Sequence, residues 1–270
     1  MKLKVLVDNN TFIDEYYLGE SAVSYYIEDG DTKILFDTGY SDVFLKNSEK
    51  MNIDLNKLDK IVISHGHDDH TGGLKYLFDN VKNDSIEVIA HSKALDYKIK
   101  DNHYIGTSMK KEELEKVSKL NLIDKPLQIS EKIIYLGEIP QINDFETRKP
   151  IGKFKCSEEL VDDVLKDDTA IVYKSEKGLF IITGCSHSGI CNIIEYAKQI
   201  CNENKIYGVI GGFHLFENDE RLEKTIEYLK NNNIELLYPC HCVSLRAKIE
   251  IANKIKIRET GVGLELNIWY

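Results

Sequence analysis

The sequence is poor in proline, in cysteine and in long apolar runs, and each shortage excludes a class of protein. Only 4 prolines occur in 270 residues, and no Ser/Gly-rich tract suggests a linker, so we expect a single domain over residues 1–270. No run of about 18 uncharged apolar residues exists, and the basic start soon turns acidic, which argues against a membrane span and a signal peptide. The 6 cysteines do not make a disulfide scaffold in a chain of this length. We therefore expect a cytoplasmic protein with reduced thiols.

Basic residues are also fewer than acidic residues. The chain has 35 Lys plus Arg against 45 Asp plus Glu, a formal net charge of -10. This balance disfavours nucleic acid and anionic membranes as partners. The expected partner is a small-molecule substrate, and an anionic one would need a metal or a local group of cations. The 42% of hydrophobic residues suffices for a substantial core, and nothing in the sequence sets the oligomeric state.

Short β-branched runs predict strands along most of the chain, first in meanders and later in alternation with helices. The strand-like runs lie at residues 3–7, 22–27, 34–36, 61–64, 86–90, 133–136, 169–173, 179–183, 206–210 and 236–238. The helical patterns lie at residues 74–78, 190–201, 221–231 and 247–256. This order predicts a layered α/β (α+β) architecture of sheets and helices.

Residues 91–130 differ from the rest of the chain. They are polar and rich in Lys and Glu, with a helical pattern at residues 110–120 and no strong strand. Two interpretations stay open for this stretch. It is either an insertion that closes over a site as a lid or an ordinary surface helical hairpin.

The strongest chemical signal is SHGHDDHTGG at residues 64–73, between a predicted strand and a predicted helix. Three imidazoles and two carboxylates in so short a turn can converge on metal ions, because the strand and the helix anchor both ends of the turn. His65 and His67 can share one ion. Asp69 and His70 then point to a second ion close by, as in two-metal hydrolytic sites.

Three later clusters each follow a strand-like run: TGCSHSG at residues 183–189, GGFHL at 211–215 and PCHC at 239–242. A lone histidine after an apolar strand is more often structural, but His214 shares its position with the other clusters and could bind substrate, donate a proton or orient a ligand. PCHC alone could suggest a zinc knuckle, although it lacks the second thiol pair of a closed site. His91 and His103 have no such support and are interpreted as surface or lid residues.

The pattern His65-X-His67-X-Asp69-His70 resembles the signature of the metallo-β-lactamase superfamily. Together, SHGHDDHTGGL, DDTAIVY, TGCSHSGI, GGFHL and PCHC resemble its branch of 7,8-dihydropterin-6-methyl-4-(β-D-ribofuranosyl)aminobenzene-5'-phosphate synthase-like proteins. The resemblance implies a four-layer αββα sandwich of two mixed β-sheets with outer helices. It also implies two divalent metal ions, with zinc as the first expectation and manganese or iron as alternatives.

The resemblance also implies a set of ligands. The expected metal ligands are His65, His67, Asp69, His70, His187 and His241. The family carries a further histidine upstream, but no histidine lies between His103 and His187. Either His187 replaces that ligand, or Cys185 occupies the bridging position, or both bind. Cys185 or Asp168 could bridge the ions, and neither is required to. Asp37, in LFDTG at residues 35–39, would lie beneath the metal loop and hydrogen-bond it, or serve only as a turn residue.

The function implied by the resemblance is that of a dinuclear metallohydrolase, in which a metal-bridging hydroxide attacks an ester, lactone or phosphoester. Asp69 would orient the nucleophile, and His214 would bind an oxyanion or protonate the leaving group. One alternative is a metal-dependent transferase that condenses a dihydropterin diphosphate with a ribosyl-aminobenzene phosphate. Another is a non-enzymatic, ligand-binding metalloprotein. A redox di-iron centre is disfavoured, because Gly66 stands where such family members usually carry Glu.

Overall fold

The computed structural model describes residues 1–268, which form two large β-sheets, a smaller third sheet and helices on the outer faces. The helices are α1 Val43–Lys50, α2 Asp68–Thr71, α3 Gly73–Asn80, α4 Lys111–Val117, α5 Ile190–Cys201, α6 Glu220–Asn231 and α7 Leu245–Ala252, with a 3-10 helix at Leu55–Lys57. The strands are β1 Lys2–Val7, β2 Ser24–Asp29, β3 Thr32–Phe36, β4 Lys60–Val62, β5 Glu87–Ala90, β6 Lys98–Lys100, β7 His103–Tyr104, β8 Lys119–Leu122, β9 Leu127–Gln128, β10 Ile133–Tyr135, β11 Lys153–Cys156, β12 Glu159–Asp162, β13 Ala170–Ser175, β14 Gly178–Thr183, β15 Ile206–Gly211, β16 Leu236–Pro239 and β17 Glu265–Asn267. In this described part of the chain, no helix combines the length and the apolar character needed to cross a bilayer.

The first large sheet has seven strands in the order β17-β1-β2-β3-β4-β5-β8. β1, β2 and β3 form an antiparallel meander, whereas β3, β4, β5 and β8 run parallel to one another. The second large sheet has six strands in the order β16-β15-β14-β13-β10-β9. Its strands β14, β15 and β16 are parallel, and the helices α5 and α6 connect them. Both large sheets are therefore mixed.

The large sheets pack face to face around an apolar core. Tyr25 and Phe36 of the first sheet meet Tyr135 and Phe180 of the second in this core. All residues of β14 and β15 are buried, as expected for strands that are covered on both faces. The outer face of the six-stranded sheet packs on α5, α6 and α7, and that of the seven-stranded sheet packs on α1 and α3. The expected four-layer αββα sandwich is confirmed.

The polar stretch at residues 91–130 contains strands, so the expectation of no strong strand there is wrong. β6 and β7 join β11 and β12 in a four-stranded antiparallel sheet. β8 forms one edge of the seven-stranded sheet, and β9 forms one edge of the six-stranded sheet. These strands are short and partly exposed, so they lack the apolar runs that predict strands. The helix α4 lies inside the predicted range, and the role of the stretch as a lid stays a prediction.

The two histidines of this stretch differ in burial. His103 is exposed, as expected. The surface interpretation of His91 is wrong, because it is only 1% exposed and its Nε2 lies 3.4 Å from Oδ1 of Asp124. His91 directly follows β5, a strand of the seven-stranded sheet, which carries its side chain into the interior.

Apolar periodicity predicted some helices closely and missed another. α5 occupies the predicted range, with an apolar face against the six-stranded sheet. α7 begins earlier than predicted, because Oγ of Ser244 accepts a hydrogen bond from the amide of Ala247 and caps the helix. α1 was missed because Asn47 and Ser48 are among its buried residues. The carboxamide of Asn47 donates a hydrogen bond to the carbonyl of Leu6. This bond lets a polar side chain occupy a buried position where the helical pattern expects an apolar one.

Candidate metal centre

Loops from both large sheets bring the chemical side chains to one end of the sandwich. The loop after β4 carries His65 and His67, and α2 follows it with Asp69 and His70. The loops after β14, β15 and β16 carry the remaining candidates: Cys185 and His187, His214, and His241. Because β14, β15 and β16 are parallel neighbours, their carboxyl ends lie along one edge of the sheet.

His65, His67 and His187 form the first group of potential ligands. Nε2 of His65 lies 3.1 Å from Nδ1 of His67 and 3.3 Å from Nε2 of His187. Burial, reinforced by neighbouring imidazoles, lowers the pKa of His65 and His187 well below the ordinary value, and burial lowers the pKa of His67 to about 4. Neutral imidazole is the form that binds metals. Nε2 of His67 is buried without a hydrogen-bond partner among the described residues, and a cation would satisfy it.

Asp69, His70, Cys185 and His241 form the second group. Sγ of Cys185 lies 3.2 Å from Nε2 of His70 and 3.2 Å from Nε2 of His241. Oδ2 of Asp69 lies 3.4 Å from Nε2 of His70 and 3.3 Å from Nε2 of His241. The side chain of Asp69 is 28% exposed, whereas that of His70 is fully buried. The second group therefore opens to solvent on the side of Asp69.

The two groups share ligands. Residues 1–268 contain three sets of potential ligands, and within each set the ligand atoms lie within 4.8 Å of one another. The sets are Asp69, His70, Cys185 and His241; His65, Cys185 and His187; and His65, His67 and Asp69. Burial and then the neighbouring Cys242 raise the pKa of Cys185, whereas a bound cation has the opposite effect and deprotonates a coordinating thiol. Imidazole, carboxylate and thiolate donors together fit zinc and related divalent ions.

Asp168, the other candidate bridge, belongs to none of these sets in the described chain. Its Oδ2 accepts hydrogen bonds from the amide of Ser188, at 2.8 Å, and from the Ser188 hydroxyl. The carboxylate is fully buried. Its Oδ2 thus holds the backbone next to His187, whereas its Oδ1 is buried without a hydrogen-bond partner among the described residues.

Asp37 lies beneath the second group and belongs to none of the ligand sets found among residues 1–268. Its Oδ2 lies 2.6 Å from Nδ1 of His70, and its Oδ1 accepts a hydrogen bond of 2.7 Å from the amide of Ser64. Burial disfavours the charged form of His70, but the carboxylates of Asp69 and Asp37 outweigh it and raise the pKa of His70. Because Asp37 engages Nδ1, Nε2 of His70 faces Cys185 and Asp69. Asp37 thus contacts both ends of the loop that carries His65 and His67, and its role as support for metal ligands stays a prediction.

His214 lies beside the first group. Its ring centroid is 4.4 Å from that of His187 and 4.7 Å from that of Phe216. Burial and then the charge of Arg221 lower the pKa of His214 to about 4. At neutral pH its imidazole is therefore uncharged, with one nitrogen that donates a hydrogen bond and one that accepts. This favours a binding role over that of a proton donor.

Four residues of the centre adopt a left-handed backbone that L-residues rarely use. They are Asp37, Ser186, His214 and His241, with φ of 56, 56, 50 and 49°. Each lies shortly after a strand. Such conformations cost free energy and cluster at functional sites, where they aim a side chain. Four of them around one group of side chains indicate a site whose geometry is held by the fold.

Gly66 occupies a position with no room for a side chain. A Cβ there would lie 2.0 Å from the carbonyl oxygen of Ala94. The amide of Gly66 also donates a 2.8 Å hydrogen bond to Oδ2 of Asp167. The Glu that the redox hypothesis requires at this position would clash with backbone.

Several residues that contact this centre were not predicted from the sequence. The amide of His241 donates to Oδ2 of Asp8 at 3.1 Å, and Oδ1 of Asn9 lies 3.1 Å from Nδ1 of His241. The polar run at residues 8–10 directly follows β1, just as the quoted motifs follow their strands, so its position could have identified it. Asp167, which accepts the hydrogen bond from the amide of Gly66, forms an ion pair of 3.2 Å with the buried Lys98. Lys98 lies in the polar stretch at residues 91–130, and its sequence neighbours do not mark it as a buried residue.

Comparisons with known proteins agree with this geometry. A sequence model of the metallo-beta-lactamase superfamily matches residues 18–198. An uncharacterized protein of Methanocaldococcus jannaschii is 35% identical over 256 residues, which are 93% of each chain. The 7,8-dihydropterin-6-methyl-4-(beta-D-ribofuranosyl)-aminobenzene-5'-phosphate synthase of the same organism is 32% identical over 264 residues, 92% of this chain and 89% of that protein. The crystal structure of Tm1679, a metal-dependent hydrolase of the beta-lactamase superfamily, covers 99% of both chains with 31% identity and a TM-score of 0.85. With the motifs, the fold and these matches in agreement, this chain belongs to the metallo-β-lactamase superfamily.

Proposed function

We propose that this protein is a dinuclear metal-dependent hydrolase acting on an ester, lactone or phosphoester of a small anionic molecule. One observation carries the proposal: two groups of potential ligands lie side by side and share Cys185 and Asp69. Hydrolytic two-metal sites hold their ions about 3.5–4 Å apart, and shared ligands suit that spacing. The match to a hydrolase structure along the whole chain supports the same activity.

The side chains of the centre have different proposed roles. Bound divalent ions at such a centre supply Lewis acidity and a water of lowered pKa. His65, His67 and His187 would hold one ion, and Asp69, His70 and His241 the other, with Cys185 between them. The partly exposed carboxylate of Asp69 would accept a hydrogen bond from the attacking nucleophile and so orient it.

His214 would bind the substrate. Its neutral imidazole can donate a hydrogen bond to the oxygen on which negative charge develops. The imidazole packs against the rings of His187 and Phe216, which restrict its movement. Such preorganised donors are worth more than flexible ones because they need no rearrangement during the reaction.

Metal analysis and turnover test the proposal together. Protein purified without chelators or metal-affinity columns should contain about two equivalents of divalent metal and cleave bis(4-nitrophenyl) phosphate or a 4-nitrophenyl ester. His67→Ala should lose both properties, whereas His103→Ala, at an exposed histidine outside the ligand sets, should retain them. A fully loaded protein that cleaves no ester, lactone or phosphoester, or full activity in His67→Ala, would overturn the assignment.

A transferase is the second candidate, favoured by the relative that carries the synthase name. In that reaction the ribosyl-aminobenzene phosphate displaces the diphosphate of an activated dihydropterin, and pyrophosphate leaves as the new bond forms. Condensed product with stoichiometric pyrophosphate would support the transferase. Hydrolysis of one substrate alone would support the hydrolase. Tight binding of either compound without turnover would support a ligand-binding metalloprotein.

Zinc is the metal we propose first, because imidazole and thiolate donors suit it. Manganese and iron are the other outcomes that the metal analysis distinguishes. All six cysteines have free thiols, which agrees with a reducing compartment. We propose the cytoplasm as its location.

A further inference from the structure

The first ligand group draws its imidazoles from both large sheets. His65 and His67 follow β4 of the seven-stranded sheet, whereas His187 follows β14 of the six-stranded sheet. All six cysteines have free thiols, so no disulfide joins the two loops. The spacing of these three side chains therefore depends on noncovalent contacts of the loops with the rest of the chain.

The short segment 167–169 contacts both of these loops. It directly precedes β13, whose first residue pairs with the last residue of β14. The amide of Thr169 also donates a hydrogen bond of 2.9 Å to the carbonyl of Ser64, the residue before His65. The segment thus belongs to the six-stranded sheet and is bonded to the loop that follows β4 of the other sheet.

Asp167 holds the loop after β4 by its backbone. Its Oδ2 accepts a hydrogen bond of 2.8 Å from the amide of Gly66, which stands between His65 and His67. Its Oδ1 lies 3.2 Å from Nζ of the buried Lys98. The residue is only 1% exposed. Both carboxylate oxygens of Asp167 therefore have partners within the chain, which suits a supporting role better than that of a metal ligand.

Asp168 holds the loop after β14 in a similar way. Its Oδ2 accepts hydrogen bonds from both the amide and the hydroxyl of Ser188, the residue after His187. One acceptor that binds two donors of the same residue fixes the backbone at that point. Oδ1 of Asp168 has no hydrogen-bond partner among residues 1–268. Direct binding of this oxygen to an ion is therefore the competing explanation, and the experiment must distinguish it.

We propose that Asp167 and Asp168 are positioning residues for the first ligand group. Asp167 acts through the amide of Gly66, and Asp168 acts through Ser188. Because the two carboxylates are neighbours in the chain, one short segment sets the spacing of the two loops. Ligands held at the right spacing bind a metal more tightly, since no free energy is needed to bring them together. The effect on metal affinity rests on the proposed two-metal function, whereas the backbone contacts do not depend on it.

Zinc titration in competition with a chromophoric chelator tests the role of Asp167. Asp167→Ala should weaken one of the two equivalents of zinc by about 10–100-fold. Asp163→Ala is the matched control, because Asp163 also pairs with Lys98, at 2.6 Å. Each variant leaves Lys98 with one carboxylate, but only Asp167→Ala frees the amide of Gly66. Asp163→Ala should therefore bind zinc as the wild type does.

Two variants of Asp168 separate positioning from direct binding. Asp168→Ala should weaken one equivalent of zinc by about 10–100-fold. Asp168→Asn should retain most of the affinity, because its amide oxygen can still accept both hydrogen bonds from Ser188. This pair leaves the ion pairs of Lys98 intact, so it carries the test even if the loss of a carboxylate beside Lys98 unfolds the protein.

Each outcome of the titrations bears on one proposal. Wild-type zinc affinity in Asp167→Ala, or an equal loss in Asp163→Ala, would overturn the positioning role of Asp167. Wild-type affinity in Asp168→Ala would overturn that of Asp168. A loss in Asp168→Asn as large as that in Asp168→Ala would also overturn it and would make Asp168 a metal ligand. If the wild type binds no divalent metal, the proposed function fails instead.

Amide hydrogen exchange in metal-free protein then decides the backbone contacts alone, with nuclear magnetic resonance as the readout. The amide of Gly66 should exchange about tenfold faster in Asp167→Ala than in Asp163→Ala. The amide of Ser188 should exchange about tenfold faster in Asp168→Ala than in Asp168→Asn. Equal exchange within either pair would overturn the positioning role of that aspartate.

Discussion

The carboxylate of Asp37 lies 2.6 Å from Nδ1 of His70, and both side chains are fully buried. Ser64 joins them, because its hydroxyl donates to the same Oδ2 of Asp37 at 2.7 Å. This arrangement fixes the ring of His70 so that its Nε2 faces Cys185. A carboxylate behind a metal-binding imidazole sets the tautomer and raises the basicity of the ligand. We therefore propose that Asp37 is a positioning residue for the second ligand group.

Asp37→Asn should weaken metal binding while the fold persists. The amide keeps the shape of the side chain but loses the negative charge behind His70, and such changes typically cost about 10–100-fold in metal affinity. Competition with a chromophoric chelator measures the zinc affinity directly. Asp84→Asn, at an exposed carboxylate, is the control. Unchanged affinity in Asp37→Asn would show that the contact does not support a ligand.

Cys185→Ser should remove a thiolate shared by both ligand groups. The cobalt-substituted wild type is expected to show a thiolate-to-cobalt charge-transfer band in the near ultraviolet, which Cys185→Ser should lack. Cys156→Ser, at an exposed cysteine, should retain the band. The neighbouring Cys242 offers the competing explanation, since its Sγ accepts a hydrogen bond from the amide of His214 at 3.3 Å. A band that survives in Cys185→Ser and disappears in Cys242→Ser would assign the thiolate to Cys242.

The metal loop was predictable from sequence because its potential ligands lie within six positions of one another, at residues 65–70, between a strand and a helix. The core strands were predictable for a related reason, since each is a short apolar run. The support of His241 by Asp8 was not proposed, because these residues are 233 positions apart and only the completed sheets bring them together. The same holds for Lys98 and Asp163, 65 positions apart. Left-handed turns such as that at His214 have only a weak sequence signal when the residue is not glycine.

Lys98→Met should destabilise the fold strongly. Lys98 is 1% exposed, and its Nζ lies 2.6 Å from Oδ2 of Asp163 and 3.2 Å from Oδ1 of Asp167. Removing the cation leaves two buried carboxylates without their partner, which costs about 3–5 kcal/mol in such sites. Urea unfolding measures the loss. Lys46→Met, which breaks an exposed pair with Asp42, should cost only about 0–1 kcal/mol, and similar losses in the two variants would contradict the role of Lys98.

Stability should fall on acidification, in part through Asp167. Burial alone would raise the pKa of Asp167, but Lys98 and the amide of Gly66 outweigh burial and lower it. A carboxyl whose pKa is lower in the folded state stabilises the fold above its unfolded pKa, and this contribution is lost as the pH falls through the folded value. Unfolding free energies of Asp167→Asn between about pH 7 and pH 3 should therefore decline less steeply than those of the wild type. Parallel curves would exclude Asp167 as a source of the acid sensitivity, and Asp84→Asn should follow the wild type.

His214→Ala should separate substrate binding from metal binding. His214 lies outside the ligand sets in the described residues, so the variant should keep its metal content. The loss of a hydrogen-bond donor to the developing oxyanion should lower kcat by about 10²–10³-fold. Alanine is strained at a φ of 50°, whereas asparagine tolerates this conformation and also donates a hydrogen bond. His214→Asn should thus recover part of the activity, as measured by turnover of bis(4-nitrophenyl) phosphate alongside elemental analysis. Loss of metal from both variants would instead make His214 a part of the metal centre, and wild-type turnover in His214→Ala would remove it from the reaction.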